Sequence, residues 1–153
     1  MDEKHNKEFY KSIGKVYCPY FKDYIHFTRV GFEHIKYKTK YKARNERDQY
    51  VRFKLLPVSV KVISLSHTLQ GITSQKRFEE RLIHNRKEIA LLLVVYYEFI
   101  AIIDEKKIKV VIKEIDNRDK VFLSIIPLFK EKTPLEESDG FIEHLATAEC
   151  RDG

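Results

Sequence analysis

The sequence predicts an α+β fold, with N-terminal helices packed on one face of a C-terminal antiparallel β-sheet meander. Two observations carry this expectation. Apolar residues recur at helical spacing before residue 65, and from residue 90 onward they fall into strand-like runs separated by the short polar turns DEKK and DNRD. Helices first and strands afterwards is the order of an α+β domain, not of alternating βαβ units.

Taken in order, residues 2–13 make a short helix in which Phe9 and Ile13 lie four apart, ended by Gly14. Tyr24 to Thr28 reads as a strand, with Ile25 and Phe27 on one face and His26 on the other. Thr28 then N-caps a short helix containing GFEHIKYK, where Phe32 and Ile35 share a face and His34 stands near the start. Residues 36–44, KYKTKYKAR, read as an exposed loop or the fraying end of that helix. Asn45 caps a longer helix whose first turn carries Glu46 and Asp48, which suit the positive end of the helix dipole. Val51, Leu55, Val58 and Val62 form its apolar stripe, and Pro57 inside the stripe kinks the helix or divides it.

After a connection from Ser66 to Gly71, residues 75–88 fit a helix or a strand equally well. Residues 90–103 form a long apolar strand or a broken pair, followed by strands at Ile108–Ile115 and Val121–Pro127. Residues 1–130 are thus one domain, and residues 131–153 an acidic tail with a short helix from Gly140 to Glu149. Ser124 is expected on the same side of the last strand as Phe122 and Ile126.

A chain of 153 residues can bury a real core, and 43% hydrophobic with 34% charged residues is a globular composition. Cys18 and Cys150 read as two unpaired thiols, and no spacing of Cys and His suits structural zinc. The apolar run from Ile89 to Ile103 falls short of the roughly 20 residues that span a bilayer, and Glu98 interrupts it, so a buried strand is expected and no membrane. The first residues contain no signal-peptide core, which points to a cytoplasmic protein. Net charge is +6, unevenly spread: from Lys130 onward three basic residues face seven acidic ones, leaving +10 on the preceding 129 residues. Such a body attracts polyanions, RNA foremost, although a solubilising surface gives the same count.

No phosphate-binding glycine loop, GxSxG elbow or HExxH motif is present, and no carboxylate cluster for metal-dependent hydrolysis lies outside the tail, so neither cofactor nor metal is expected. RNA cleavage needs neither, because the substrate brings its own nucleophile, the 2′-hydroxyl. The protein need only move protons and neutralise a phosphate. His34 beside the Lys36, Lys38, Lys40, Lys42 and Arg44 run is the leading proton carrier, with a plain surface histidine as the alternative. Arg47 and Arg52 could grip a phosphate or pair with Glu46 and Asp48. Ser124 needs a hydrogen-bond partner, either backbone or ligand. Tyr96 and Tyr97 point to opposite faces of a strand, so at most one can stack on a base.

The segments DYIHFTRVGFEHI, RNERDQYVRFKLLPVSVKVI and KVFLSIIP, across about residues 20–128, resemble the phage- and mobile-element-associated barnase–EndoU–colicin–RelE-like nuclease group. That resemblance implies a small α+β fold and a metal-independent ribonuclease, often a toxin. It implies catalytic His34, Arg52 and Ser124, and substrate contacts from Arg47, to which Arg29, Lys36, Lys38 and Tyr97 are added as expected neighbours. A toxin would have an antitoxin or immunity protein as partner, and the tail could instead fold over the basic groove as a phosphate mimic. The alternatives are a nucleic-acid-binding module without catalysis and a protein-interaction partner of the same fold.

Overall fold

The computed structural model describes residues 3–129. In chain order the elements are α1 (Glu3–Ile13), β1 (Lys15–Cys18), β2 (Asp23–His26), α2 (Arg29–Lys36), β3 (Tyr37–Thr39) and β4 (Lys42–Ala43). Then come α3 (Glu46–Lys54), α4 (Leu56–Leu65), β5 (Gly71–Ile83), β6 (Arg86–Ile103), β7 (Lys106–Ile115) and β8 (Lys120–Pro127). The architecture is α+β, as the sequence predicts. The tail helix expected at Gly140–Glu149 and Cys150 both lie outside the described residues.

Pro57 and Asn45 act as their chemistry requires. Asn45 accepts a hydrogen bond from the Asp48 amide at 2.7 Å and so starts α3, while Pro57 sits in the first turn of α4 and separates it from α3. Thr28 does occupy the N-cap of α2, but its side chain makes no capping bond. The helix starts at Arg29, earlier than GFEH suggests, which puts His34 in its last turn and not near its beginning. Lys36 does end the helix, but residues 37–43 are neither loop nor frayed helix; Tyr37 pairs with Ala43 and Thr39 with Lys42 in a small hairpin.

Six strands form one sheet in the order β1-β2-β8-β7-β6-β5. The meander therefore has four strands, one more than the three with clear sequence signals. The ambiguous stretch at 75–88 is the far half of β5, its turn and the beginning of β6. Most of β5 is exposed on both faces, which erases the period that would have marked it. His84–Asn85 and Asp104–Glu105 both have positive φ, the two-residue turn geometry that matches the twist of adjoining strands. The β1–β2 hairpin joins the sheet through a parallel contact, Ile25 with Lys120 and His26 with Val121.

On the inner face Phe99, Val110 and Ile112 share one buried cluster with Leu56, Val62 and Ile63 of α4, and Phe122 stacks on Phe27 with ring centroids 4.6 Å apart. α2 lies along β8, and Gly31 makes that approach possible. A Cβ there would stand 2.5 Å from the Phe122 carbonyl oxygen and 2.5 Å from the Tyr10 hydroxyl. Gly31→Ala is therefore expected to destabilise the fold by about 1–3 kcal/mol, read as a lower urea midpoint with an unchanged slope.

Candidate functional site

The end of α2 and the small hairpin stand over the outer face of the sheet, enclosing an open cleft of about 1010 Å³. His34, Lys38 and Lys40 form one wall; Arg77, Tyr96, Lys109 and Lys113 rise from the strands. Five cationic side chains line the cleft against two carboxylates, Glu33 and Glu98, so its field favours an anion. Lys113 pairs with Glu79 at 3.0 Å, Lys109 with Glu98 at 3.6 Å, and Arg77 donates to the Tyr96 hydroxyl at 2.7 Å. These contacts hold three of the cations in place.

His34 is half-buried, and its Nδ1 is shielded from solvent with no hydrogen-bond partner. Burial pushes its pKa down from 6.5 to about 4, and the positive charges of Arg44, Arg52 and Lys113 push the same way. The imidazole is therefore neutral near pH 7 and can accept a proton. Its backbone is fixed too, because Arg44 Nε donates to the His34 carbonyl at 3.0 Å.

Arg52 and Ser124 meet each other but not the cleft. Arg52 Nη1 donates to Ser124 Oγ and to the Ile125 carbonyl, both at 3.0 Å, and Nε donates to Asp48 Oδ1 at 2.9 Å. The two side chains are 8% and 1% exposed, and neither is among the lining residues. Their reach for a ligand is already taken by each other. Strand alternation had put Ser124 beside Phe122, and the structure corrects this. The pairing skips Leu123, so Phe122 opposes Ile112 while Ser124 opposes Val111, on the other face.

The remaining expected residues scatter. Lys38 lines the cleft, whereas Lys36 and Arg47 line a separate pocket of about 780 Å³ beside Glu3 and Glu46. Lys36 is ion-paired to Glu3. Arg29 is exposed at the far end of α2 and paired to Glu33 at 2.7 Å. Tyr97 faces inward: its ring meets Phe21 edge-on, and its hydroxyl donates to Glu114 at 3.1 Å. Burial, and after it that partner, raise its pKa to about 12. Tyr96 is the one of the pair that lines the cleft. Sequence reasoning missed Lys109 and Lys113, although their alternation with Val110 and Ile112 places them on the outer face. Arg77 gave no such signal, since its segment had no readable period.

Comparison of the chain with protein-family models, curated proteins and solved structures found no match. Among the described residues, no helix is long and apolar enough to cross a membrane.

Two measurements follow from these contacts. Arg52→Ala leaves the Ser124 hydroxyl and the Ile125 carbonyl buried without their donor and should cost about 3–5 kcal/mol, against about 1–2 for Ser124→Ala, both read from denaturant midpoints. The second concerns acid. His34 binds a proton near pH 6.5 when unfolded but only near 4 when folded, so its contribution is intact above 6.5 and is lost as pH falls towards 4. The slope is at most about 1.4 kcal/mol per pH unit, reduced by the solvent that reaches the ring. The gap between urea midpoints at pH 7 and pH 5 should therefore narrow in His34→Gln.

Proposed function

We propose that this chain is a metal-independent endoribonuclease that holds a phosphodiester in the cationic cleft and uses His34 to move its protons. The observation that carries the reading is a neutral imidazole on the wall of the cleft, set among ammonium and guanidinium groups that draw a phosphate to it. The likeness of the sequence to the barnase–EndoU–colicin–RelE-like nucleases points the same way. His34 takes the 2′-hydroxyl proton and the 2′ oxygen attacks phosphorus. The bond to the 5′ oxygen breaks, and a cleft lysine or water returns a proton to that oxygen. The products are a 2′,3′-cyclic phosphate and a 5′-hydroxyl end.

Burial first, and after it the charges of Arg44, Arg52 and Lys113, depress His34 in the empty cleft. A bound phosphate offsets those same charges and raises the basicity of the ring when substrate is present. Lys109, Lys113 and Lys38 neutralise the charge that builds on the phosphoryl oxygens. Arg52 and Ser124, the two other residues implied by the resemblance, act in this reading through position: they tie α3 to β8 and, through Asp48 and Arg44, to the end of α2 that carries His34. A protein partner such as an antitoxin or immunity protein would present an acidic face to the cleft, and the protein would act in the cytoplasm.

One observation favours a second reading, a nucleic-acid-binding module without catalysis. The closed Arg52–Ser124 pair leaves His34, of the three catalytic residues the resemblance implies, alone on the cleft. The experiment is incubation with RNA in EDTA. The ribonuclease reading expects 2′,3′-cyclic phosphate ends and a loss of about 10²–10⁴-fold in His34→Ala with binding retained. Equal rates in wild type and His34→Ala end that reading, and salt-sensitive binding without product selects the second.

A further inference from the structure

β5 is the last strand of the sheet, long and exposed, and its outer edge meets no other strand among the described residues. Its backbone groups on that side stand ready to pair with another chain. Natural edge strands avoid this with charges, since like charges brought opposite each other repel. β5 is also heavily charged, but the order of signs reverses the effect.

The middle of the strand reads Lys76, Arg77, Phe78, Glu79, Glu80: two cations, one ring, two anions. Turned end for end, the pattern becomes its own electrostatic complement. With Phe78 opposite its equivalent in an antiparallel pair, Arg77 opposes Glu79 and Lys76 opposes Glu80, each contact made twice by symmetry. Moving the register by one residue keeps only one of the two opposite-charge contacts: in one direction Arg77 meets Glu80 while Lys76 meets Arg81, in the other Lys76 meets Glu79 while Arg77 meets Phe78.

A second feature agrees. Phe78 pairs with Leu91 and Glu80 with Ile89 across the β5–β6 ladder, and Phe78, Ile89 and Leu91 are 74%, 70% and 54% exposed. This apolar strip continues the inner face of the sheet beyond the helices that cover the rest of it. On the opposite face, Glu79 is held by Lys113 and Arg77 by Tyr96, so both side chains of the outer-face pair are already oriented.

We propose that β5 is a homodimer interface, in which the edge strands of two copies pair antiparallel about a two-fold axis at Phe78 and join the two sheets into one. Strand pairing from Thr73 to Ile83 of each copy adds about ten backbone hydrogen bonds, and the interface is isologous, as a two-fold contact must be. It brings Phe78 against Phe78 of the second copy on the face where Phe78, Ile89 and Leu91 are exposed among the described residues. It also runs the outer faces of the two sheets together, so that two cationic clefts open on one surface. This inference stands apart from the ribonuclease reading, since it uses no catalytic step.

The test is sedimentation equilibrium of the full chain with charge-exchanged variants, each checked for folding by circular dichroism. Wild type should sediment at twice the 18.3 kDa chain mass. K76E/R77E and E79K/E80K should each sediment as monomers, because every cross-pair then repels. Mixed in equal amounts they should recover the doubled mass, and the fourfold exchange K76E/R77E/E79K/E80K should dimerise alone. Register is read by Phe78→Cys in a Cys150→Ser background, which should cross-link faster than Glu80→Cys. A monomeric wild type, a dimer that survives K76E/R77E, or folded variants that do not combine on mixing would each overturn the proposal.

Discussion

Arg52 carries a full positive charge into the interior, and its surroundings are arranged to satisfy it. Asp48 lies one helical turn before it, and across the gap β8 offers a hydroxyl and a carbonyl. An unpaired charge at such a depth would cost several kcal/mol, so the helix and strand hold a fixed relation. Arg44 shares the same Asp48 and also grips the His34 carbonyl, which extends that relation to the end of α2. One carboxylate thus sets the distance between α2, α3 and β8. The cleft is the space left over on the outer side.

Much of this fold was legible because its cues were local. Asn45 with Asp48, the break at Pro57 and the alternation from Ile108 onward each depend on neighbours a few residues away, and each was read correctly. What failed depended on partners far along the chain. The parallel contact of β2 with β8 has no sequence signature. The skip at Leu123 turned Ser124 away from Phe122, with which alternation had placed it, and left it on the side of Ile126. Exposed β5 gave no period, so Arg77 was invisible as a cleft residue. The site was legible in part: His34 and Lys38 do line one cleft, and Arg52 does touch Ser124. No pattern in the chain could show that this last pair closes on itself, because the answer lies in burial.

The cleft also shows how charge and burial divide the work of tuning a side chain. Lys113 reaches His34 through the field while its ammonium stays bonded to Glu79. Glu114, the next residue, points to the inner face and pairs with Lys120 and Tyr97. Adjacent positions on one strand therefore serve separate polar groups, kept apart by the sheet itself. A cation can be held firmly and still act on a neighbour, since a salt bridge to one carboxylate does not cancel its field in every direction.

The contact between β2 and β8 has a consequence for the order of events during synthesis. The strand at Asp23–His26 leaves the ribosome early, yet the partner that ties it into the sheet comes almost a hundred positions later. Contacts of such separation slow folding, because a long loop must close before they form. α2 and α3 wait on the same late strand, since Gly31 and Arg52 both rest on β8. The groove that gathers His34 with Lys113 cannot exist on a nascent chain until nearly all of the described fold has been made.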